Sequence, residues 1–109
     1  MIFEVELTDQ ADYDLRGIYD YIADELQSPL NAHDQLDRLE KSIRSLVQFP
    51  ERFRKYEEEP WYSRGLRVMV VDNYVVFYIP NMKSQIVTVI RVMSSKRDTA
   101  HQLHTHTEF

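Results

Sequence analysis

The chain has 109 residues, no cysteine, and a hydrophobic fraction of 43% with 12% aromatic residues. That length suits one domain with one core, and the composition excludes a disordered polymer, a disulfide scaffold, thiol chemistry and cysteine-ligated zinc. The net charge of −5 argues against unspecific nucleic-acid binding, yet the charge is unevenly placed. Residues 1–62 carry 7 Lys and Arg against 15 Asp and Glu, a net −8, whereas residues 63–109 carry 6 against 3, a net +3. An anionic ligand close to the second part feels the local potential rather than the total.

Residues 2–8, IFEVELT, alternate strictly, with Phe3, Val5 and Leu7 on one side and Glu4 and Glu6 on the other. This is the pattern of a half-buried strand. Thr8 suits a helix N-cap, with Asp9 and Asp12 near the positive end of the dipole. Ala11, Leu15, Ile18, Ile22 and Leu26 then recur at spacings of four, three, four and four, which predicts one buried face of an amphipathic helix.

The stretch QSPLNAHDQL breaks that helix and starts another, with Ser28 as N-cap and Pro29 at the first helical position. Ala32, Leu36, Leu39, Ile43 and Leu46 carry the second apolar face, and Pro50 ends the run. Two such helices joined by a short break predict an antiparallel hairpin with acidic outer faces. Residues 50–63 have no clean period and two prolines, so they predict a loop. Three segments rich in Val, Ile, Tyr and Phe come next, GLRVMVVD, NYVVFYIP and QIVTVIRVM, with turns at Asp72-Asn73 and Pro80 to Lys83. The order β-α-α-β-β-β predicts one α+β domain over residues 1–109, a helical hairpin on one face of an antiparallel sheet, with a short helix at its carboxy-terminal end.

No stretch of about 18 apolar residues occurs, so no membrane span is expected. The opening MIFEVELTDQ has acids where a signal peptide needs cations, so a cytoplasmic location is expected. Glycine-rich phosphate loops and nucleophile elbows are absent. Of the four histidines, His33 opens the second helix and His101, His104 and His106 crowd the tail without carboxylate or cysteine partners at metal-ligand spacing. Neither a metal nor a cofactor is expected.

The cations of the second part are the chemistry-bearing group. Arg64 and Arg67 flank the second strand, Arg91 lies in the fourth, and Lys96 and Arg97 come directly after it. Arginine binds phosphate through paired hydrogen bonds and stays charged at any useful pH. Two readings stand side by side: an anion site at the end of the fourth strand, or an Arg91 that pairs with an acid of the helices. Tyr74 and Tyr78 read as core or edge residues rather than as a stacking platform.

The segments ADYDLRGIYDYIADEL, SPLNAHDQLDRLEKSIRSLVQFPERF, RGLRVMVVDNYVVFYIP and VIRVMSSKRD together resemble the RelE/ParE superfamily of toxins from bacterial type II toxin–antitoxin modules, the plasmid-stabilisation type. The resemblance runs from about residue 2 to residue 103, and its elements are specific in combination. They are Ala11 to Leu15, Phe49-Pro50, Arg67 ahead of Asn73-Tyr74, Phe77-Tyr78, and Arg91-Val92 with Arg97-Asp98.

The resemblance implies a toxin neutralised by a cognate antitoxin, with one of two targets. RelE-like members cut mRNA on the ribosome without a metal, the ribose 2′-OH attacking the adjacent phosphate; ParE-like members inhibit DNA gyrase and have no nuclease site. In the nuclease reading Arg67, Arg91, Lys96 and Arg97 stabilise charge, and since the usual general bases are missing, His101 or His104 from the tail substitutes as the proton carrier. The chain departs from the nuclease pattern at Val75, where an arginine is usual, and at Ser94, where many relatives have histidine. An alternative reading is a weakly toxic or non-toxic partner that acts with its antitoxin in promoter control. On the anion-site reading, Arg91→Ala with Arg97→Ala is expected to abolish toxicity with the fold retained.

Overall fold

The computed structural model describes residues 2–109. Strand β1 (Glu4–Leu7) leads through Thr8 into helix α1 (Asp9–Asp20). The cap forms as the sequence predicts. Thr8 Oγ1 accepts from the Ala11 N–H at 3.1 Å and donates to the Ile90 carbonyl at 3.0 Å, tying the start of α1 to the sheet. Helix α1 runs on into a π turn over Tyr21–Glu25, and helix α2 (Pro29–Arg44) returns antiparallel, ending in a short 3-10 turn at Ser45–Val47.

The π turn changes the apolar face. Ala11, Leu15 and Ile22 are buried as their spacing predicts, but Leu26 is 57% exposed. The wider turn, closed by the Leu26 N–H on the Tyr21 carbonyl, shifts the angular phase of the residues beyond it, so the fifth residue of the series leaves the core face.

Strands β2 (Arg67–Val71), β3 (Tyr74–Asn81) and β4 (Ile86–Ser94) form the expected antiparallel meander. The sheet order is β1-β4-β3-β2, and β1 pairs with β4 in parallel, Leu7 lying opposite Val89. The sheet is therefore mixed rather than wholly antiparallel. The whole helical hairpin and the meander separate β1 from β4, so no tight turn fixes their relative direction. A bulge interrupts the β3–β4 pairing: Phe77 faces Arg91 and Tyr78 faces Val89, which leaves Ile90 as the extra residue.

The sheet has a core on each face. The hairpin packs Ala11, Leu15, Leu39 and Ile43 against Met69, Val76, Tyr78, Val89 and Val92. On the other face Trp61, Leu66, Val68, Phe77, Ile90 and Met93 enclose Leu103 of a third helix, α3 (Thr99–Thr105). This second core explains why the loop before β2 is apolar at Trp61. Residues 54–56 also run along the outer edge of β2, through the Val68 N–H on the Arg54 carbonyl and the Tyr56 N–H on the Leu66 carbonyl. No helix is long and apolar enough to cross a membrane.

Candidate functional site

Strand β1 ends at Leu7, so beyond Val89 the edge of β4 that faces away from β3 has no strand beside it. The side chain of Asp14, one turn into α1, takes the place of that neighbour. Its Oδ2 accepts from the Val92 N–H at 2.9 Å and from Arg91 Nε at 2.7 Å, and its Oδ1 accepts from Arg91 Nη2 at 2.9 Å. The bulge at Ile90 sets Arg91 where it can reach along this edge. The remaining nitrogen, Nη1, donates at 3.1 Å to the His106 carbonyl and at 3.1 Å to Thr107 Oγ1. Both side chains of the pair are less than a tenth exposed.

The sequence left open whether Arg91 binds an anion or pairs with a helical acid; the structure shows the pair, with Asp14 as the acid. Every nitrogen of the guanidinium donates to protein. The expectation that Arg91→Ala together with Arg97→Ala keeps the fold is accordingly corrected, because removing Arg91 strands a buried carboxylate.

Arg67 is also committed. Its Nη1 donates to the Phe53 carbonyl at 2.7 Å and the Glu51 carbonyl at 3.0 Å, and its Nη2 lies 3.4 Å from the Glu51 carboxylate. In the sheet register Arg67 faces Tyr78 and Arg91 faces Phe77, with β3 between them, so the two arginines do not converge. Tyr78 is fully buried and donates its hydroxyl to the Pro50 carbonyl at 2.6 Å. Burial pushes its pKa up to about 12, against a smaller opposing effect of Arg67. It is a core residue, as its sequence context predicts.

Lys96 and Arg97 are exposed and enter no ion pair among the described residues. Their turn is firmly held. The Ser95 N–H donates to the Asn73 carbonyl at 2.8 Å, the Arg97 N–H to the Ser94 carbonyl at 3.1 Å, and the Lys96 N–H to Ser94 Oγ at 3.3 Å. Ser94 thus shapes the turn with its hydroxyl, and Asp98 next to it caps α3 by accepting from the His101 N–H. His101 itself is exposed, its ring edge-on to that of His106 at 5.5 Å. Only Lys96, Arg97 and His101 therefore share one short segment; Arg67 and Arg91 are held elsewhere by protein groups.

The two free cations stand at the rim of a cleft of about 760 Å³ between α1 and the ends of β3 and β4. Tyr13, Ile18, Tyr21, Leu26 and Tyr74 supply its apolar lining. Tyr13 is 78% exposed, and Tyr21 and Leu26 are also open to solvent. Burial, and to a smaller extent the nearby Tyr21, raises the pKa of the Tyr74 phenol. Sequence reasoning misses this cleft because the spacing of Leu26 assigns it to the buried face of the helix, whereas it is exposed at the cleft. The π turn that carries Leu26 off the core face leaves no clear mark in the sequence. Among the described residues no group of three or more His, Cys, Asp or Glu is arranged to hold a metal ion.

A helical hairpin on a four-stranded sheet, with a short third helix after the last strand, is a fold shared with solved chains of bacterial toxin–antitoxin systems. The chain of the chromosomal ParDE system from P. aeruginosa superposes with a TM-score of 0.71 at 18% identity, covering 85% of this chain and 96% of that one. A chain of the RelBE2 toxin–antitoxin complex from Mycobacterium tuberculosis gives 0.60 at 18% identity, covering 86% and 99%. A mutant of the E. coli toxin RelE in its free state gives 0.63 at 14% identity, covering 94% and 93%. Residues 5–99 match the family described as the ParE toxin of the type II toxin–antitoxin system parDE, and the chain belongs to that family. No curated protein matches.

Proposed function

We propose that this toxin is neutralised by a cognate antitoxin and inhibits growth by binding DNA gyrase, rather than by cutting mRNA on the ribosome. The observation that carries this reading is the commitment of Arg91. A charge stabiliser for phosphodiester cleavage must present free donors to the phosphate, and here each guanidinium nitrogen is engaged by Asp14 or the tail. Arg67 is likewise occupied by the Glu51 and Phe53 carbonyls. What remains open, two cations over a tyrosine-lined cleft, suits a protein surface, since aromatic and arginine side chains anchor protein interfaces. Membership of the ParE family supports the same choice, and the complexes formed by the ParDE and RelBE2 relatives support an antitoxin partner.

Induced expression in a sensitive host tests the reading. Filamentation with a DNA-damage response and relaxed plasmid is the expected outcome. Arrested translation with mRNA cut in the ribosomal A site would contradict it, and unchanged growth would favour a partner that acts only with its antitoxin.

A further inference from the structure

Two imidazoles at the end of α3 meet although their spacing in the sequence does not announce it. His101 and His106 are five residues apart, and on an unbroken helix that spacing sets side chains roughly 140° apart around the axis. The helix stops first. His106 is its C-cap, with φ −124° and ψ 21°, and this non-helical step leaves its ring edge-on to His101, with centroids 5.5 Å apart. His104 points elsewhere, its Nε2 3.5 Å from the Glu58 carboxylate.

That separation is the one a shared metal ion requires. Two imidazole nitrogens bound to one zinc at about 2.0–2.1 Å, with a tetrahedral angle between them, place the ring centroids roughly 5 Å apart. Both rings are exposed, so an ion reaches them from solvent and keeps water on its remaining positions. Their backbones are already fixed. Asp98 accepts the His101 N–H at 3.1 Å, and the Gln102 carbonyl accepts the His106 N–H at 3.0 Å. The His106 carbonyl accepts from Gln10 Nε2 at 2.8 Å and from Arg91 Nη1 at 3.1 Å. Leu103, between the two histidines, is buried in the second core and sets the rotation of the helix. Ligands held in this way lose little freedom when an ion arrives. Arg91, the cation that touches the His106 backbone, is paired with Asp14, so its charge opposes an incoming cation less.

We propose that His101 and His106 form an open two-imidazole site for a divalent transition-metal ion, with zinc, nickel and copper as the class that imidazole selects. Two protein ligands are fewer than the three or four of established protein zinc sites, so the ion is exchangeable. It staples the last turn of α3 to its C-cap and links the stability of the second core to free metal. This inference does not depend on which target the toxin inhibits.

The test titrates zinc chloride into the untagged full chain, freed of metal by chelator, with binding followed by isothermal calorimetry. One ion per chain is expected. His101→Ala and His106→Ala should each weaken binding at least tenfold, while His33→Ala and His104→Ala should change it less than twofold. Zinc should also raise the melting temperature of the unaltered chain and leave that of His101→Ala unmoved. Should His106→Ala lose its circular-dichroism signature, His106→Gln carries the same comparison. No binding to the folded chain at millimolar zinc overturns the proposal, as does binding that survives the loss of His101 or His106.

Discussion

The carboxylate of Asp14 and the guanidinium of Arg91 form a buried two-point ion pair, at 2.7 and 2.9 Å, that closes the open edge of the last strand. The same carboxylate accepts the Val92 N–H, so one acid satisfies both an arginine and a strand donor that lacks a neighbour. Arg91 in turn holds the chain after α3 through His106 and Thr107. Helix, sheet and tail thus meet at one guanidinium.

Breaking the pair from either side should be severe. Arg91→Ala or Asp14→Ala leaves one buried charge without its partner, a loss of about 3–5 kcal/mol. Replacing both together by apolar residues of similar size should cost much less, since no charge is then stranded. Urea denaturation of the three variants checks this, and a single variant within about 1 kcal/mol of the parent, on the scale of ordinary surface changes, would refute the clasp.

Phe49 presents an opposite case, an exposed residue that works against the fold. It is 80% exposed and takes left-handed backbone angles, φ 49° and ψ 54°, directly ahead of Pro50. Its carbonyl is one of three that receive Arg52 Nη1. A side chain in that conformation costs roughly 1–2 kcal/mol, and glycine there gives back part of it through the unfolded chain. Phe49→Gly is expected to raise stability by roughly 0.5–1 kcal/mol, read from the denaturation midpoint. A loss of stability would show that the ring packs in a way its exposure does not suggest.

Alkaline pH should loosen the hairpin-side core at Tyr78. Its phenol is raised from an ordinary value of 10.0 to about 12, with burial as the main cause. Below pH 10 folded and unfolded chains both hold the proton, and stability is unaffected. Between about 10 and 12 the folded chain holds a proton that the unfolded chain releases, so stability falls with rising pH across that window. Burial raises Tyr74 and Tyr56 as well, which adds to the same slope. Tyr78→Phe should flatten part of the slope and lose about 1 kcal/mol at neutral pH with the bond to the Pro50 carbonyl. Thermal melts at pH 8 and pH 11 for both proteins separate the two effects.

Much of this architecture is legible in the residues. The strand at Glu4–Leu7, the cap at Thr8, the Pro29 start and the Asp72-Asn73 turn all act locally, and each appears where its residues predict it, although Leu7, expected on the buried side with Phe3 and Val5, is exposed. The features without a sequence signal depend on contacts far apart in the chain. The Asp14–Arg91 pair joins residues 77 positions apart, and an acid beside Leu15 looks like any solvated helix charge until β4 is placed next to it. The parallel partner of β1 and the second core under Leu103 are likewise tertiary outcomes. The same reason explains the candidate site. Arg67, Arg91, Lys96, Arg97 and His101 share a charge sign or a neighbourhood in sequence, but packing sorts them into two committed arginines and one free basic turn.

Lys96 and Arg97 carry the remaining prediction. Both are exposed and unpaired among the described residues, so Lys96→Ala with Arg97→Ala should change stability by no more than about 0.5 kcal/mol per site. The same change should abolish growth inhibition on induced expression. Full toxicity in the folded double variant would remove the basic turn from the functional surface.

The most direct measurement is DNA supercoiling by purified gyrase in the presence of the purified chain, with ribosome-bound mRNA assayed in parallel. The account predicts that the chain inhibits supercoiling, that Lys96→Ala with Arg97→Ala relieves the inhibition, and that the mRNA stays intact. Unimpaired gyrase together with mRNA cut in the ribosomal A site would contradict it.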